Sequence, residues 1–187
     1  MECEKKIILK AKKDIKAFDF LYRKYFPKIN NFVFHRVNNE AEKNDIVSNV
    51  FFKAMKRLPL YRFRNSRNSA FSSWLFKIAV NEINQHYRNI KREEKIKNNL
   101  KNNPQPVSQT LPEIDFDIVK EKMRNLSLYE QNLISLRFFE KMKNKEIAQI
   151  LGKKESTIKV QIHRTINKLR NLLRGCNNFT PLDNLYI

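Results

Sequence analysis

Residues 145–173 read KEIAQILGKKESTIKVQIHRTINKLRNLL, and this stretch decides the fold. Its first seven residues, Lys145 to Leu151, place Ile147, Ala148 and Leu151 on the inner side of a short helix. Gly152 follows, suited to the left-handed backbone that ends a helix. A second helix starts near Ser156 or Thr157, with Ile158, Ile162, Ile166, Leu169 and Leu173 on one stripe. Small Ala148, a glycine turn and a β-branched entry let two helices approach closely at a steep angle, which is what a helix-turn-helix requires.

The face opposite that stripe carries Thr157, Val160, Arg164, Asn167 and Lys168, flanked by Lys159 and His163. From Ser156 to Arg174 there are five basic residues and no acidic one. A solvated helix normally mixes signs, so the bias points to phosphate. Val160 interrupts this polar face; it is either a stray exposed apolar residue or a contact for a group such as a thymine methyl.

Outward from the helix-turn-helix, charge divides the chain. Residues 1–90 hold 19 basic and 8 acidic residues, 91–118 hold 5 and 5, and 119–174 hold 14 and 5. The neutral middle contains Pro104, Pro106 and Pro112 among Asn, Lys, Gln and Ser and reads as a linker. The expectation is an all-α protein of two small basic helical domains, 1–90 and 119–174, joined by a flexible linker, 91–118, and followed by a tail, 175–187.

In the first domain apolar residues recur at steps of three and four. They are Phe18, Leu21, Tyr22 and Tyr25, continuing through Ile29, Phe32, Val33 and Val37; then Ile46, Val47, Val50, Phe51, Ala54 and Leu58; then Phe71, Leu75, Ile78, Ala79, Ile83 and His86. Pro59 closes the second run, and a polar loop from Tyr61 to Asn68 with Arg62, Arg64 and Arg67 leads to Ser69, a suitable helix cap. The third run has a second stripe, Trp74, Lys77, Asn81, Asn84 and Arg88. A basic surface interleaved with aromatics suits single-stranded nucleic acid, because a base stacked on a ring contributes about 1–3 kcal/mol whatever its identity. Trp74 is equally readable as core. On the run from Glu40 to Leu58, Asp45, Ser48, Asn49, Lys53 and Lys56 face outward together with Phe52, and an exposed aromatic ringed by polar groups suggests a protein partner.

Composition excludes several other chemistries. The net charge is +19 over 187 residues, which favours polyanionic partners. Only two glycines are present, Gly152 and Gly175, so no glycine-rich phosphate loop or dinucleotide fingerprint can form. Cys3 and Cys176 lie far from any ligand-spaced partner, and His35, His86 and His163 are scattered. Asp115 and Asp117 sit in the linker without further ligands and read as a solvated pair. Neither a metal nor another cofactor is expected. No apolar run reaches the roughly 18 residues of a membrane span, so a cytoplasmic protein without membrane insertion is expected.

Along nearly its whole length the sequence resembles the two-domain bacterial RNA polymerase sigma factors of the extracytoplasmic-function type. The stretches that carry the resemblance to region two are Phe18-Asp-Phe-Leu-Tyr-Arg-Lys-Tyr-Phe-Pro27, Asp45-Ile-Val-Ser-Asn-Val-Phe-Phe-Lys-Ala54 and Phe71-Ser-Ser-Trp-Leu-Phe-Lys-Ile-Ala-Val-Asn81. Those for region four are Leu126-Ser through Lys145-Glu-Ile-Ala, and Ser156-Thr-Ile-Lys159 to Leu169-Arg170. The resemblance implies a non-enzymatic subunit that directs core RNA polymerase to promoters and promotes DNA opening. Asp45, Ser48, Asn49, Phe52 and Lys53 would dock on the polymerase. Arg62, Trp74, Lys77, Asn81, Asn84 and Arg88 would hold the melted minus-ten element. Thr157, Lys159, Val160, His163, Arg164 and Lys168 would read the duplex minus-thirty-five element. The implied partners are core polymerase and promoter DNA, double- and single-stranded, with an anti-sigma protein as a further partner common in that family. The chain departs from the family pattern at Ser48 and Asn49, where Gln and an acidic residue are common, at Val160, where Ser is frequent, and in a longer loop before Trp74.

Two other readings compete on the residues alone. An autonomous helix-turn-helix regulator would bind duplex without polymerase. A serine recombinase needs an early nucleophile, yet the first serine is Ser48.

Overall fold

The computed structural model describes residues 2–37, 39–63, 71–98 and 116–173. Eight α-helices make up these segments: α1 (Glu2–Ala11), α2 (Phe18–Phe34), α3 (Glu40–Arg57), α4 (Phe71–Asn98), α5 (Phe116–Met123), α6 (Leu128–Ile134), α7 (Asn144–Leu151) and α8 (Glu155–Leu173). The described residues contain no strand, and the fold is all-α in two helical regions.

Local chemistry sets the helix ends. The Asn39 side chain accepts the Ala41 N–H at 2.9 Å and starts α3, with Glu40 and Glu42 favourably placed in its positive first turn. The Ser127 hydroxyl accepts the Glu130 N–H while the Glu130 carboxylate accepts the Ser127 N–H, a reciprocal cap that begins α6. Gly152 has φ +66°, and a β-carbon added there would meet nothing within 4 Å. Its cost to any other residue is therefore the left-handed backbone itself.

In the first region α2, α3 and α4 bury the expected apolar faces, with Leu21, Ile29, Phe32, Val50, Leu75 and Ile83 withdrawn from solvent. In the second, Ile147 and Ala148 of α7 and Ile158, Ile162, Leu169 and Leu173 of α8 form the core. Ile150, not Leu151, is the third buried residue of α7, because that helix also packs against α4 and so buries more than one stripe.

Three features depart from the sequence expectation. Residues 91–98, read as the start of the linker, are the final turns of α4. Their lysines, arginine and glutamates are good helix formers, and no Pro or Gly interrupts them. Residues 116–118 likewise open α5. At the N-terminus, α1 is an additional helix that inserts Ile8 and Ala11 into the core of the first region.

The third departure concerns how the regions sit. Instead of hanging apart on a tether, they pack together: Leu133, Leu136, Ile147 and Ala148 belong to the same apolar cluster as α2, α3 and α4. A polar bridge runs alongside. Arg36, which follows α2, donates through Nη1 to Asn132 Oδ1, and Asn132 Nδ2 donates to Asn84 Oδ1 at 3.2 Å. Tyr87 donates its hydroxyl proton to the Arg36 carbonyl, and Asn31 Nδ2 donates to Glu140 at 3.1 Å.

Candidate nucleic-acid interface

The outward face of α8 is open. Val160 is 50 % exposed. Lys159, His163 and Arg164 are exposed beside it, and Thr157 is half-buried at the helix start. Lys159 and Arg164 form no ion pair with a described residue, so both charges are available to an external anion. Lys168 is different: its ammonium lies 3.0 Å from Glu130 of α6. Burial alone would raise the Glu130 carboxyl, but the Ser127 cap and Lys168 outweigh it and hold the group below the usual carboxylate range. Lys168 therefore has a structural partner as well as a place on the basic face.

The stripe on α4 divides. Lys77, Asn81 and Arg88 are exposed, whereas Trp74 is half-buried. Its ring lies 5.1 Å from that of Tyr61 and 5.2 Å from that of Phe71, which is fully core. The core reading of Trp74 holds in part: the indole braces Tyr61 and Phe71 and stays half-exposed. Asn84 accepts from Asn132 and is turned toward the second region. Arg62 is exposed; Arg64, Arg67, Asn68 and Ser69 lie outside the described residues, as does Asp115.

Sequence reasoning missed the contribution of α1 to this surface. Lys5 on α1 and Lys12 in the turn just after it reach the same aromatic ring. Their ammonium groups sit 5.5 and 5.8 Å from the centre of the Phe63 ring, and Lys12 also donates to the Tyr61 carbonyl. A cation over the ring adds electrostatic attraction to packing. The two lysines were visible, but only the aromatic target gives them meaning.

On α3, Asp45, Ser48 and Asn49 are exposed and Phe52 is 50 % exposed, with Lys56 Nζ 4.4 Å over its ring. Lys53 instead points along α4, 2.6 and 2.7 Å from the Glu82 carboxylate oxygens. The result is an apolar ring set among small polar groups, a surface suited to a protein partner. Among the described residues no cluster of His, Cys, Asp or Glu could hold a metal ion, and no helix is long and apolar enough to cross a membrane.

Two helical regions, in this order and with a helix-turn-helix in the second, define a class of transcription-initiation subunits. The model of Sigma-70 region 2 matches residues 21–93, and that of Sigma-70 region 4 matches residues 116–169. Together they take in about two thirds of the chain, which belongs to the sigma-70 family in its extracytoplasmic-function branch. Among its relatives, the RNA polymerase sigma factor YlaC of Bacillus subtilis is 28 % identical over 163 residues, covering 82 % of this chain and 90 % of YlaC. The ECF RNA polymerase sigma factor BldN of Streptomyces coelicolor is 24 % identical over 164 residues, covering 84 % of this chain and 60 % of BldN. The fold is similar to that of the sigma factor RpoE in its co-crystal with the anti-sigma factor NepR from Bartonella quintana. There the TM-score is 0.66 at 22 % identity, over 85 % of this chain and 98 % of RpoE.

Proposed function

We propose that the chain, bound to core RNA polymerase, places that enzyme on promoters and stabilises the opened strands with two separate DNA-binding faces. The observation that carries this reading is the exposed, sign-biased face of α8 standing in the same chain as the exposed Lys77, Asn81 and Arg88 of α4. In the proposed division, 1–90 docks and melts, 119–174 reads duplex, 91–118 connects them and 175–187 is a tail.

On α8, Arg164 and Lys159 hold phosphates or base edges while Thr157, Val160 and His163 read the major groove and Lys168 adds charge at the edge. Val160 offers an apolar surface to a thymine methyl where a serine would offer a hydrogen bond. On α4, Lys77, Asn81 and Arg88 hold the unpaired strand, with Arg62 and the accessible side of Trp74 flanking an unstacked base. Asn84 joins them once Asn132 releases it. The α3 surface of Asp45, Ser48, Asn49 and Phe52, with Lys53 at its edge, docks on the polymerase.

The packed arrangement supports a two-state working cycle. Free, the regions close on each other through the Arg36–Asn132–Asn84 bridge; on polymerase they part, and each takes its own promoter element. The relative co-crystallised with an anti-sigma factor supports proposing such a protein as a further partner. The chain catalyses nothing itself, needs no cofactor and works in the cytoplasm, where polymerase and promoter meet.

Run-off transcription with purified core polymerase and promoter fragments tests the reading. Promoter-specific transcripts that depend on the chain are expected. Tight duplex binding with no effect on initiation would replace it with an autonomous regulator.

A further inference from the structure

The seam between the two regions encloses a cavity of about 330 Å³. It is walled by residues of both. Arg36 and Lys91 come from the first, and Arg124, Met123, Leu126 and Leu128 from the second. Every fully ionised group on that wall is a cation, and no Asp or Glu among the described residues lines it.

Arg36 is the unusual member. Only 4 % of it is exposed, yet its guanidinium Nε and Nη2 have no acceptor among the described residues; Nη1 alone is used, on Asn132. Burial pulls its pKa down to about 10, against a smaller opposing effect of Tyr87. A guanidinium withdrawn from water without a counter-charge is costly, and proteins that retain one normally supply an anion or a hydrogen-bonded network. Lys91 and Arg124 line the same cavity, both are exposed, and neither forms an ion pair with a described residue. A buried guanidinium with two unpartnered nitrogens and two exposed cations on the same wall match an ion with several oxygens, since guanidinium pairs bidentately with phosphate.

We propose that this inter-region cavity is a binding site for a small molecule bearing a pyrophosphate group, held by Arg36, Lys91 and Arg124, and that its occupant favours the closed arrangement. The apolar lining of Met123, Leu126 and Leu128 suits an uncharged body attached to the phosphates. Because both regions supply cations, a ligand bound here stabilises only the closed state. It raises the closed-to-open ratio by a factor of 1 + [L]/Kd, about tenfold at ten times Kd. The working-cycle consequence rests on the proposed promoter role; the binding site itself does not.

The test is isothermal titration of the full chain with inorganic pyrophosphate, without polymerase or DNA, at about 0.15 M salt, where exposed charges are screened beyond about 8 Å. One saturable site is expected. Lys91→Ala and Arg124→Ala, on opposite sides of the seam and both exposed, should each weaken it about tenfold. Arg164→Ala on the outer face of α8 removes the same charge elsewhere and should change it less than twofold. Arg36→Gln should abolish the site if that variant folds; the two exposed substitutions decide the matter if it does not. Absence of saturable binding overturns the proposal. So does equal weakening by Arg164→Ala, which would mean attraction to net charge alone, or an effect of only one seam cation, which would mean a site not shared by the two regions. A chain that binds pyrophosphate in this way but directs no transcription would overturn the promoter role and leave the site standing.

Discussion

The outer faces of α4 and α8 are both basic, yet they stand in different conditions. That of α8 is open over its central residues, with Lys159, Val160, His163 and Arg164 all exposed. That of α4 is partly engaged, by the aromatic packing of Trp74 at one end and the hydrogen bond from Asn132 to Asn84 further along, with Arg88 exposed beyond it. A rigid helix that only enters a groove needs no rearrangement, whereas a surface that must capture bases from an opened duplex can be held back until the enzyme arrives. Under the proposed division of labour, the difference leaves the α8 face ready and the α4 face restrained.

The strongest way to break this contrast is to cut the restraint. Asn132 is 1 % exposed and bridges Arg36 to Asn84, so Asn132→Ala leaves a buried guanidinium with no described partner. A loss of about 2–4 kcal/mol in urea unfolding is expected, since removing one partner of a buried charged hydrogen bond costs the desolvation of the other. Small-angle scattering should show a more extended particle. A variant as stable and as compact as the parent would remove the bridge from the account.

Next in size is Arg164→Ala. Stability should hold within about 0.5 kcal/mol, as for other exposed substitutions. Upstream-element binding by the polymerase complex should fall by about 1–3 kcal/mol if the guanidinium reads a base edge, with preference relaxed at one position. Unchanged preference together with a shallower salt dependence would reassign Arg164 to phosphate alone.

Asn81 and Asn84 sharpen the comparison within one helix. Asn81→Ala should impair strand opening, measured with permanganate, and leave both unfolding and upstream binding as they were. Asn84→Ala should cost about 1 kcal/mol of stability through the lost hydrogen bond. If Asn81→Ala opens promoters normally, the melted-strand assignment on α4 fails.

The smallest effect is a pH dependence in the second region. The Glu130 carboxyl is held below its ordinary value of 4.5 by the Ser127 cap and Lys168. A depressed acid contributes stability that is present above the unfolded value and lost as pH falls through the folded one. Thermal melting of the parent should therefore decline below pH 4.5 more steeply than that of Glu130→Gln. Parallel curves would show that the cap and the ion pair count for nothing measurable.

Which parts of this were legible beforehand follows from how locally each is encoded. The turn at Gly152 and the stripe from Ile158 to Leu173 can be read because the signals sit within a few residues of one another. Ile150 could not be separated from Leu151, since the choice depends on α4 lying against α7. Helix α1 escaped notice because Ile7, Ile8 and Ala11 are a thin apolar signal among lysines. The bridge between the regions was invisible: Arg36, Asn84 and Asn132 are ordinary polar residues, and only the fold brings them into one buried place. The exposure of Lys77, Asn81, Lys159 and Arg164 followed from charge and spacing, while the second partners of Lys53 and Lys168 required the neighbouring helix.

The extension of α4 to Asn98 shortens the rope. With α5 opening at Phe116, 17 residues separate the last turn of one helix from the first of the next. At full stretch such a segment reaches about 60 Å. Measured along a duplex rising about 3.4 Å per base pair, that is roughly 18 base pairs. If the two regions part on a promoter as proposed, the chain itself fixes an upper limit to the distance between the end of α4 and the start of α5.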